Sequence, residues 1–483
     1  MVHSVEVLID VPASEQLDWH SDFVQRTDDE AVEVDAPGTP SARLSPVPVQ
    51  VVTPGPQPAT KQADHVELLP SCFADRPPTI FFERPPTLSP RCTGDDDDDD
   101  DGSTAAAPPK LSVPIGKKAA HQLCMRIEKN ANSVRHAFKR SGFGVNPAKE
   151  VATPLVTWSR HSGDKLFTTL PLGAVVNHFP GSWALGRKDG LSKIISEQHR
   201  RFGGAEYGFH PRTFTLPHDR ANLERAMQAG QLLGGGTMIV KPLNSSRGRG
   251  IYLTTDLDDI EPDAKVLVQE YIDRPLLLQE RKFDLRIYVL VTSFEPLRAY
   301  TFEQGLARFA TQPYAVPTGD DADRCAHLTN YSINKHDEDY QANCDANDDS
   351  TGHKWSLAAA YRAIAELGHD VAAIRRRIDA LLAKTLIAAQ AHVASKYNSF
   401  FRRRNACFEL FGFDVMLDRD VRPWLIEVNV SPDLASTSPL DRQLKGTLAA
   451  DTLHLVGIKP PAAIAAAANM PPPRTHATAP THD

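Results

Sequence analysis

The chain has 483 residues, with 53 lysines and arginines against 61 aspartates and glutamates, for a net charge of −8. That acidic balance argues against a protein that coats polyanions with its whole surface, so no nucleic-acid partner is expected, although a local basic groove is compatible with it. Hydrophobic residues at 41% and charged residues at 24% are ordinary for a globular chain, so the class must be read from motifs.

The first hundred or so residues are patterned for solvent. Pro-rich runs such as PGTPSARLSPVPVQVVTPGPQP precede seven consecutive aspartates, Asp95 to Asp101, and then GSTAAAPP. Proline removes backbone donors and the aspartates repel one another, so residues 1–116 are expected to be largely disordered. Pro78 to Phe82 (PTIFF) is the exception, an apolar burst able to add a strand. The N-terminus has no basic stretch leading into an apolar core, and no run approaches eighteen apolar residues, so neither a secretory signal nor a membrane span is expected. Six cysteines (Cys72, Cys92, Cys124, Cys325, Cys344, Cys407) show no C-x-x-C pair or finger spacing. They fit reduced thiols and a cytoplasmic location.

Helical periodicity begins near Lys117 and runs through CMRIEKNANSVRHAFKRSGF, with Gly142 as its stop. From Leu155 to Gly457 strands and helices alternate. TMIVKPL, GIYLTT, KVLVQEYI, FDLRIYVLV and LRAYTFEQGLARFA read as strands; Trp355 to Leu367, Val371 to Tyr397 and Leu440 to Leu455 read as helices. Lys241 ends its apolar strand and is followed by Pro-Leu-Asn-Ser-Ser-Arg247-Gly248-Arg249-Gly250. Such a loop can lay backbone N–H groups and cations on phosphates, but it is not a Walker loop, and a simple turn is the alternative. Gln269-Glu270-Tyr271-Ile272 closes another strand, whose end can offer main-chain groups to an adenine edge or can be an ordinary amphipathic strand. Lys282, Asp284 and Arg286 share one strand face, either solvated or an electrostatic clamp for phosphoryl transfer. No G-x-S-x-G or H-E-x-x-H occurs, which disfavours serine-nucleophile and zinc chemistry.

The densest signal lies in CFELFGFDVMLDRDVRPWLIEVNVSPDL, Cys407 to Leu434. Two apolar runs flank a polar turn, Asp418 to Arg422, and read as a β-hairpin. If Asp418 pairs with Pro423, the register sets Asp414 opposite Glu427. Glu427 and Asn429 then share a face, while Trp424, Ile426, Val428 and Val430 point into a core. Two carboxylates and an amide oxygen suit magnesium held jointly with phosphates. The alternative is a merely polar turn in which Glu427 meets an arginine.

Taken together, NHFPGSWALGRKD, IVKPLNSSRGRGIYL, VLVQEYI, KFDLRIYVLV, LRAYTFEQGLARFAT, HLTNYSINK, HKWSL, CFELFGFDVMLD, PWLIEVNVSP and LKGTLAADTLHLVGI resemble the tubulin tyrosine ligase-like family, in that family's order. SSRGRGIYL and LTNYSINK look most like its glutamate-adding branch. The resemblance implies an α/β ATP-grasp-like fold, with antiparallel sheets enclosing the nucleotide, over residues 117–458, followed by a disordered Pro/Ala-rich tail, 459–483. It implies ATP held by Lys241, Arg247, Gly248, Gln269, Glu270, Tyr271, Ile272, Lys282, Asp284, Thr329 and Asn330, and Mg2+ held by Asp414, Glu427 and Asn429. Arg286 matches the phosphate-facing arginine, and Lys241, Lys282, Arg286 and Glu427 would serve catalysis. Arg308, Tyr331, Ser332, Lys354 and Lys445 match positions holding the incoming amino acid, and Arg247 a contact to the acceptor.

The implied activity is ligation of free L-glutamate, through an acyl phosphate, to γ-carboxylates in the acidic C-terminal tails of tubulin. Three cations opposite a dicarboxylate make chemical sense. A glycine ligase and a catalytically silent microtubule-binding scaffold are the alternatives. Microtubules are the implied partner and the cytoskeleton, with cilium, flagellum or basal body, the implied location. In DRPLLLQER, between Ile272 and Lys282, the family's usual glycine-containing turn is missing. Arg375-Arg376-Arg377 and Arg402-Arg403-Arg404 are basic clusters suited either to acidic tails or to plain solvation, and a partner subunit for docking is left open.

Overall fold

The computed structural model describes residues 5–8, 65–70, 77–85, 110–128, 131–146, 153–161, 163–232, 236–245, 248–317, 324–345, 347–436 and 438–468. The expectations for the Asp run, for Arg247 and for residues 469–483 lie outside them. The fold is mixed α/β. Its spine is a 14-residue strand, Arg281–Phe294, nearly all of whose residues are buried. Along one edge it pairs antiparallel with Glu409–Leu417. Along the other it meets Leu306–Phe309 at its start and Leu297–Thr301 at its end. Pro423–Asn429 and Lys354–Ser356 extend this sheet, and Val5–Leu8 pairs with Leu297–Thr301. A strand buried on both faces reads as a near-continuous apolar run, and that is why VLV-type sequence continues beyond the charged start at Lys282.

One face of the large sheet packs on helices Lys188–Phe202, Leu357–Glu366 and Val371–Phe400 through Leu285, Ile287, Val289, Phe411 and Phe413. The other packs Tyr288, Leu290, Tyr300 and Leu410 on helices Asn132–Arg140 and Pro439–Val456. A second, four-stranded antiparallel sheet has the order Tyr252–Thr254, Met238–Pro242, Val266–Glu270, Thr213–Thr215, backed by helix Arg220–Gln228. A small parallel sheet, not anticipated from sequence, joins Gly144–Val145, Cys124–Ile127, Val156–Trp158 and Val175–Val176.

Several element readings need correction. The helical stretch from Lys117 contains a strand, Cys124–Ile127, between helices Lys117–Ala120 and Asn132–Arg140. Its Cys-Met-x-Ile core residues satisfy either periodicity, and parallel pairing decides in favour of the strand. LRAYTFEQGLARFA is two strands, and Lys354–Ser356 is a strand whose last residue, Ser356, caps the helix that begins at Leu357. The strand at Val266 ends at Glu270, leaving Tyr271 and Ile272 just beyond it. Thr79–Ile80 in the PTIFF burst does add a strand, to a three-stranded sheet with His65–Leu69 and Leu111–Pro114. Among the described residues Cys124, Cys325, Cys344 and Cys407 are free thiols, and no helix is long and apolar enough to cross a membrane.

Candidate active site

The hairpin forms as expected, but its register does not run from Asp418. Leu417 pairs with Pro423, Met416 with Trp424 and Val415 with Leu425; a bulge follows, and Asp414 then faces Glu427. Without the bulge, Leu417 opposite Pro423 would put Asp414 opposite Ile426. The extra residue restores the carboxylate pair, the kind of re-aiming bulges provide near sites. It also reverses the faces on its far side. Leu425 enters the main core with Val428 and Val430, whereas Trp424 and Ile426 pack with Ile272 and Met416 in a separate apolar patch. The expectation that Trp424 and Ile426 join Val428 in one core is therefore corrected.

Across the sheet the register lines up two rows of charge. One row is Glu427, Asp414 and Arg286; the other is Asp284, Arg308 and Lys354. Arg286 Nε and Nη2 donate to the two oxygens of Asp414 at 2.5 and 3.0 Å. Arg308 Nε donates to Asp284 at 2.9 Å, and Arg308 Nη2 donates both to Asp284 and to Asp414 Oδ2, the latter at 2.8 Å. Gly412 makes this possible. A Cβ there would lie 3.1 Å from Arg286 Cδ and 3.1 Å from Pro432 Cβ, so the bare backbone lets the guanidinium lie across the strand.

Burial raises the pKa of Asp414, but Arg286 and Arg308 outweigh that and hold it well below the usual carboxylate range. Burial and the neighbouring Asp414 charge push Glu427 the other way, up to about 7. Three carboxylates (Asp284, Asp414, Glu427) face two guanidiniums, and Glu427 is attracted through space by Lys241 on the second sheet. Asn429 donates Nδ2 to Asp414 at 3.3 Å and to Glu427 at 3.2 Å. Turning its amide by half a rotation would present the oxygen instead.

The second sheet faces this cluster. Lys241 is buried and donates to Gln269 Oε1 at 2.6 Å. Gln269 in turn reaches Thr213 at 2.9 Å and His210 at 3.3 Å, and His210 Nδ1 donates to Leu425 O at 2.8 Å. Burial lowers the His210 pKa to about 4, so the ring is neutral and can donate at Nδ1 while accepting at Nε2. This ring locks the second sheet to the hairpin. Lys282 donates to the Tyr271 hydroxyl at 2.8 Å, with its ammonium 4.1 Å from the ring centre, and Tyr271 donates to His327 at 2.9 Å. Burial, reinforced by Lys241, lowers Lys282 to about 7; burial lowers Lys241 to about 8. Both ammoniums thus rest on neutral oxygens, poised to charge fully when an anion arrives. Ile239, Leu253, Tyr271 and Leu328 form an apolar patch on this side.

The remaining candidates lie on neighbouring elements. Glu270 accepts from the backbone N–H of Arg212 at 3.1 Å and so braces the strand end. Gly248 has φ +72°, a conformation side chains disfavour, and a Cβ there would strike Ile333 at 2.4 Å and approach Asn330 at 3.3 Å. Asn330 precedes the short helix Tyr331–Asn334, which carries Tyr331 and Ser332, and Thr329 is buried beside it. Lys354 and Lys445 converge from different elements, the strand Lys354–Ser356 and the helix Pro439–Val456. Asp441 joins them, at 2.9 Å from Lys354 Nζ and 3.1 Å from Lys445 Nζ. Lys354 also sits 4.6 Å from the centre of the Tyr331 ring.

Sequence reasoning missed Asp441, His210 and His327. Asp441 lies four residues before Lys445 on one helix, a spacing that signals an ion pair, but its tie to Lys354 is tertiary. Arg308, expected among the donor-binding residues, is held in place by Asp284 and Asp414.

Among the described residues no group of three or more His, Cys, Asp or Glu forms a ready-made metal site. Asp414 and Glu427 nevertheless fit a hard cation that takes its remaining ligands from Asn429 and from phosphate oxygens. The facing pair of carboxylates, in which the Asp414 charge adds to burial in raising the Glu427 pKa, is the observation that favours such a cation.

A family model described as the tubulin-tyrosine ligase family matches residues 168–464, more than half of the chain and all of the residues above. The chain is 40% identical over 326 residues to "Tubulin monoglutamylase TTLL4" of Homo sapiens, covering 68% of this chain and 27% of that protein. It is 39% identical over 332 residues to "Tubulin polyglutamylase TTLL5" of Mus musculus, covering 68% and 25%. With "Tubulin polyglutamylase ttll-4" of Caenorhabditis elegans identity is 40% over 304 residues, covering 63% and 49%. The chain thus spans about a quarter of the length of the human and mouse relatives and about half of the nematode one. Resemblance in the sequence, the pair of antiparallel sheets carrying the charged residues and the family match converge, and the chain belongs to the tubulin-tyrosine ligase family.

Proposed function

We propose that this chain is an ATP- and magnesium-dependent ligase that joins the α-amine of free L-glutamate to γ-carboxylates of glutamates in tubulin tails. The observation that carries the reading is the polarity of the charged band: an anion-rich end at Asp414 and Glu427 and a cation-rich end at Lys354 and Lys445. The names of the relatives, tubulin mono- and polyglutamylases, support the choice of donor and acceptor. ATP would supply the activation of the acceptor carboxylate as an acyl phosphate, with magnesium offsetting phosphate charge.

The protein's own share is electrostatic positioning. Asp414, Glu427 and Asn429 would hold the metal. Lys241 and Lys282, dry and bound only to neutral oxygens, would stabilise charge on the transferring phosphoryl group, with Arg286 held at a fixed orientation by Asp414. Gln269, Glu270, Tyr271, Ile272, Thr329 and Asn330 would hold the nucleotide, with Asp284 acting through Arg308. Tyr331, Ser332, Lys354, Lys445 and Arg308 would receive the donor. On this reading the protein works on microtubules.

The test is to incubate the protein with microtubules, ATP, magnesium and isotope-labelled glutamate, glycine or tyrosine, and to locate the added mass by peptide sequencing. Glutamate on tail side chains is the expected product. Label from glycine alone would make the chain a glycine ligase, and microtubule binding without any label would make it a scaffold.

A further inference from the structure

Arg308 and Lys354 face each other across neighbouring strands, and Lys445 approaches from the helix behind. Like charges directly opposite one another in a sheet repel. Arg308 is matched by Asp284 and Asp414, so the two lysines need an anion of their own. Asp441 is that anion. It is fully buried in the first turn of helix Pro439–Val456, its backbone N–H bonded to the Ser438 hydroxyl at 3.1 Å. Its two oxygens take one lysine each, and Lys445 is fixed a second time by donating to Ala435 O at 2.8 Å. Two cations and one anion leave a single positive charge. A free dicarboxylic amino acid, with two carboxylates and one ammonium, carries a single negative one.

We propose that Asp441 is the positioning residue of the donor pocket, holding the Lys354 and Lys445 ammoniums at a fixed spacing for a dicarboxylic amino acid without touching it. This rests on the reading of Lys354 and Lys445 as donor-binding groups. Lysine side chains lose considerable rotamer freedom when they are fixed, and a buried tether incurs that loss during folding rather than during binding. Both lysines that Asp441 engages are groups assigned to the donor, so its removal should act chiefly on that substrate.

The experiment measures glutamate affinity by calorimetry, with a non-hydrolysable ATP analogue present, and kcat and KM for both substrates, for wild type, D441N and D441E. In D441N we expect glutamate Kd and KM to rise roughly tenfold or more while ATP KM stays within about twofold. D441E, which keeps the charge one methylene further out, should recover part of the loss. If D441N does not fold, D441E alone should still raise glutamate KM by roughly threefold at unchanged ATP KM. Unchanged glutamate affinity in the folded variants, or equal losses for both substrates, would overturn the proposal. Wild type that binds glutamate yet ligates none would refute the ligase reading while the affinities still decide the role of Asp441.

Discussion

Two ends of one charged band behave in opposite ways. At Asp414 and Glu427 two carboxylates face each other, and the two nearby guanidiniums cannot match them together with Asp284. At Lys354 and Lys445 two ammoniums share the single carboxylate of Asp441. The first end is short of a cation and the second short of an anion. A sheet tolerates such like-charge neighbours only where something else completes them, and the missing partners differ in sign. On the proposed reading, a metal–phosphate group would sit at the first end and an acidic amino acid at the second.

Glu427→Gln should break the comparison most severely. Ligation should fall by roughly a thousandfold or more, because the anion-rich end loses its charge. Stability of the bare protein should move the other way. The folded-state pKa of Glu427 is raised to about 7, above its ordinary value, so the folded protein binds this proton more tightly than the unfolded chain does. Its contribution is full below the ordinary carboxylate range and is lost as pH rises through about 7. Glu427 is only half-buried, so solvent screens part of the effect. The variant should then exceed wild type by about 1–2 kcal/mol at alkaline pH and converge with it in acid, as read by urea melts without metal.

Lys354→Met should act at the opposite end. It removes one of two cations, so glutamate affinity should fall by about a hundredfold with ATP binding little changed, measured by calorimetry. Gly412→Ala is milder. A Cβ against Arg286 Cδ and Pro432 shifts the guanidinium by a few tenths of an ångström, and kcat should drop about tenfold in a protein with near-normal melting.

The smallest effect belongs to the turn Gln279-Glu280, between Leu278 and Arg281. Both residues have positive φ, 51° and 59°, in a two-residue hairpin loop suited to Asn-Gly. Replacing them with Asn-Gly should stabilise the fold by about 1–2 kcal/mol, seen as a higher denaturation midpoint, without altering donor choice. Where the sequence lacks the glycine-containing turn, Gln279 and Glu280 take the positive φ that glycine adopts without strain.

Part of the band is legible in the sequence. Lys282, Asp284 and Arg286 alternate with apolar residues, and period-two alternation fixes a shared face, which the structure keeps. The hairpin carboxylates are legible too, although by a register that only the bulge rescues, since local patterning cannot reveal an extra residue in one strand. Pairing between distant segments stays hidden. Arg308 opposite Lys354, Asp441 beside Lys354 and His210 bonded to Leu425 depend on how three separate stretches dock, and no spacing along the chain reports that. The strand Cys124–Ile127 is hidden for another reason: four residues with three apolar ones fit a helix or a strand equally well.

Glutamate against glutamine is the sharpest test of whether the cation-rich end selects an acidic amino acid by charge. The two match in shape and differ by one carboxylate. Calorimetry with a non-hydrolysable ATP analogue and magnesium should show glutamate binding tighter by about a hundredfold, with the gap shrinking as salt rises. Equal affinity for the two would contradict the account, because Lys354 and Lys445 would then not be reading the second carboxylate.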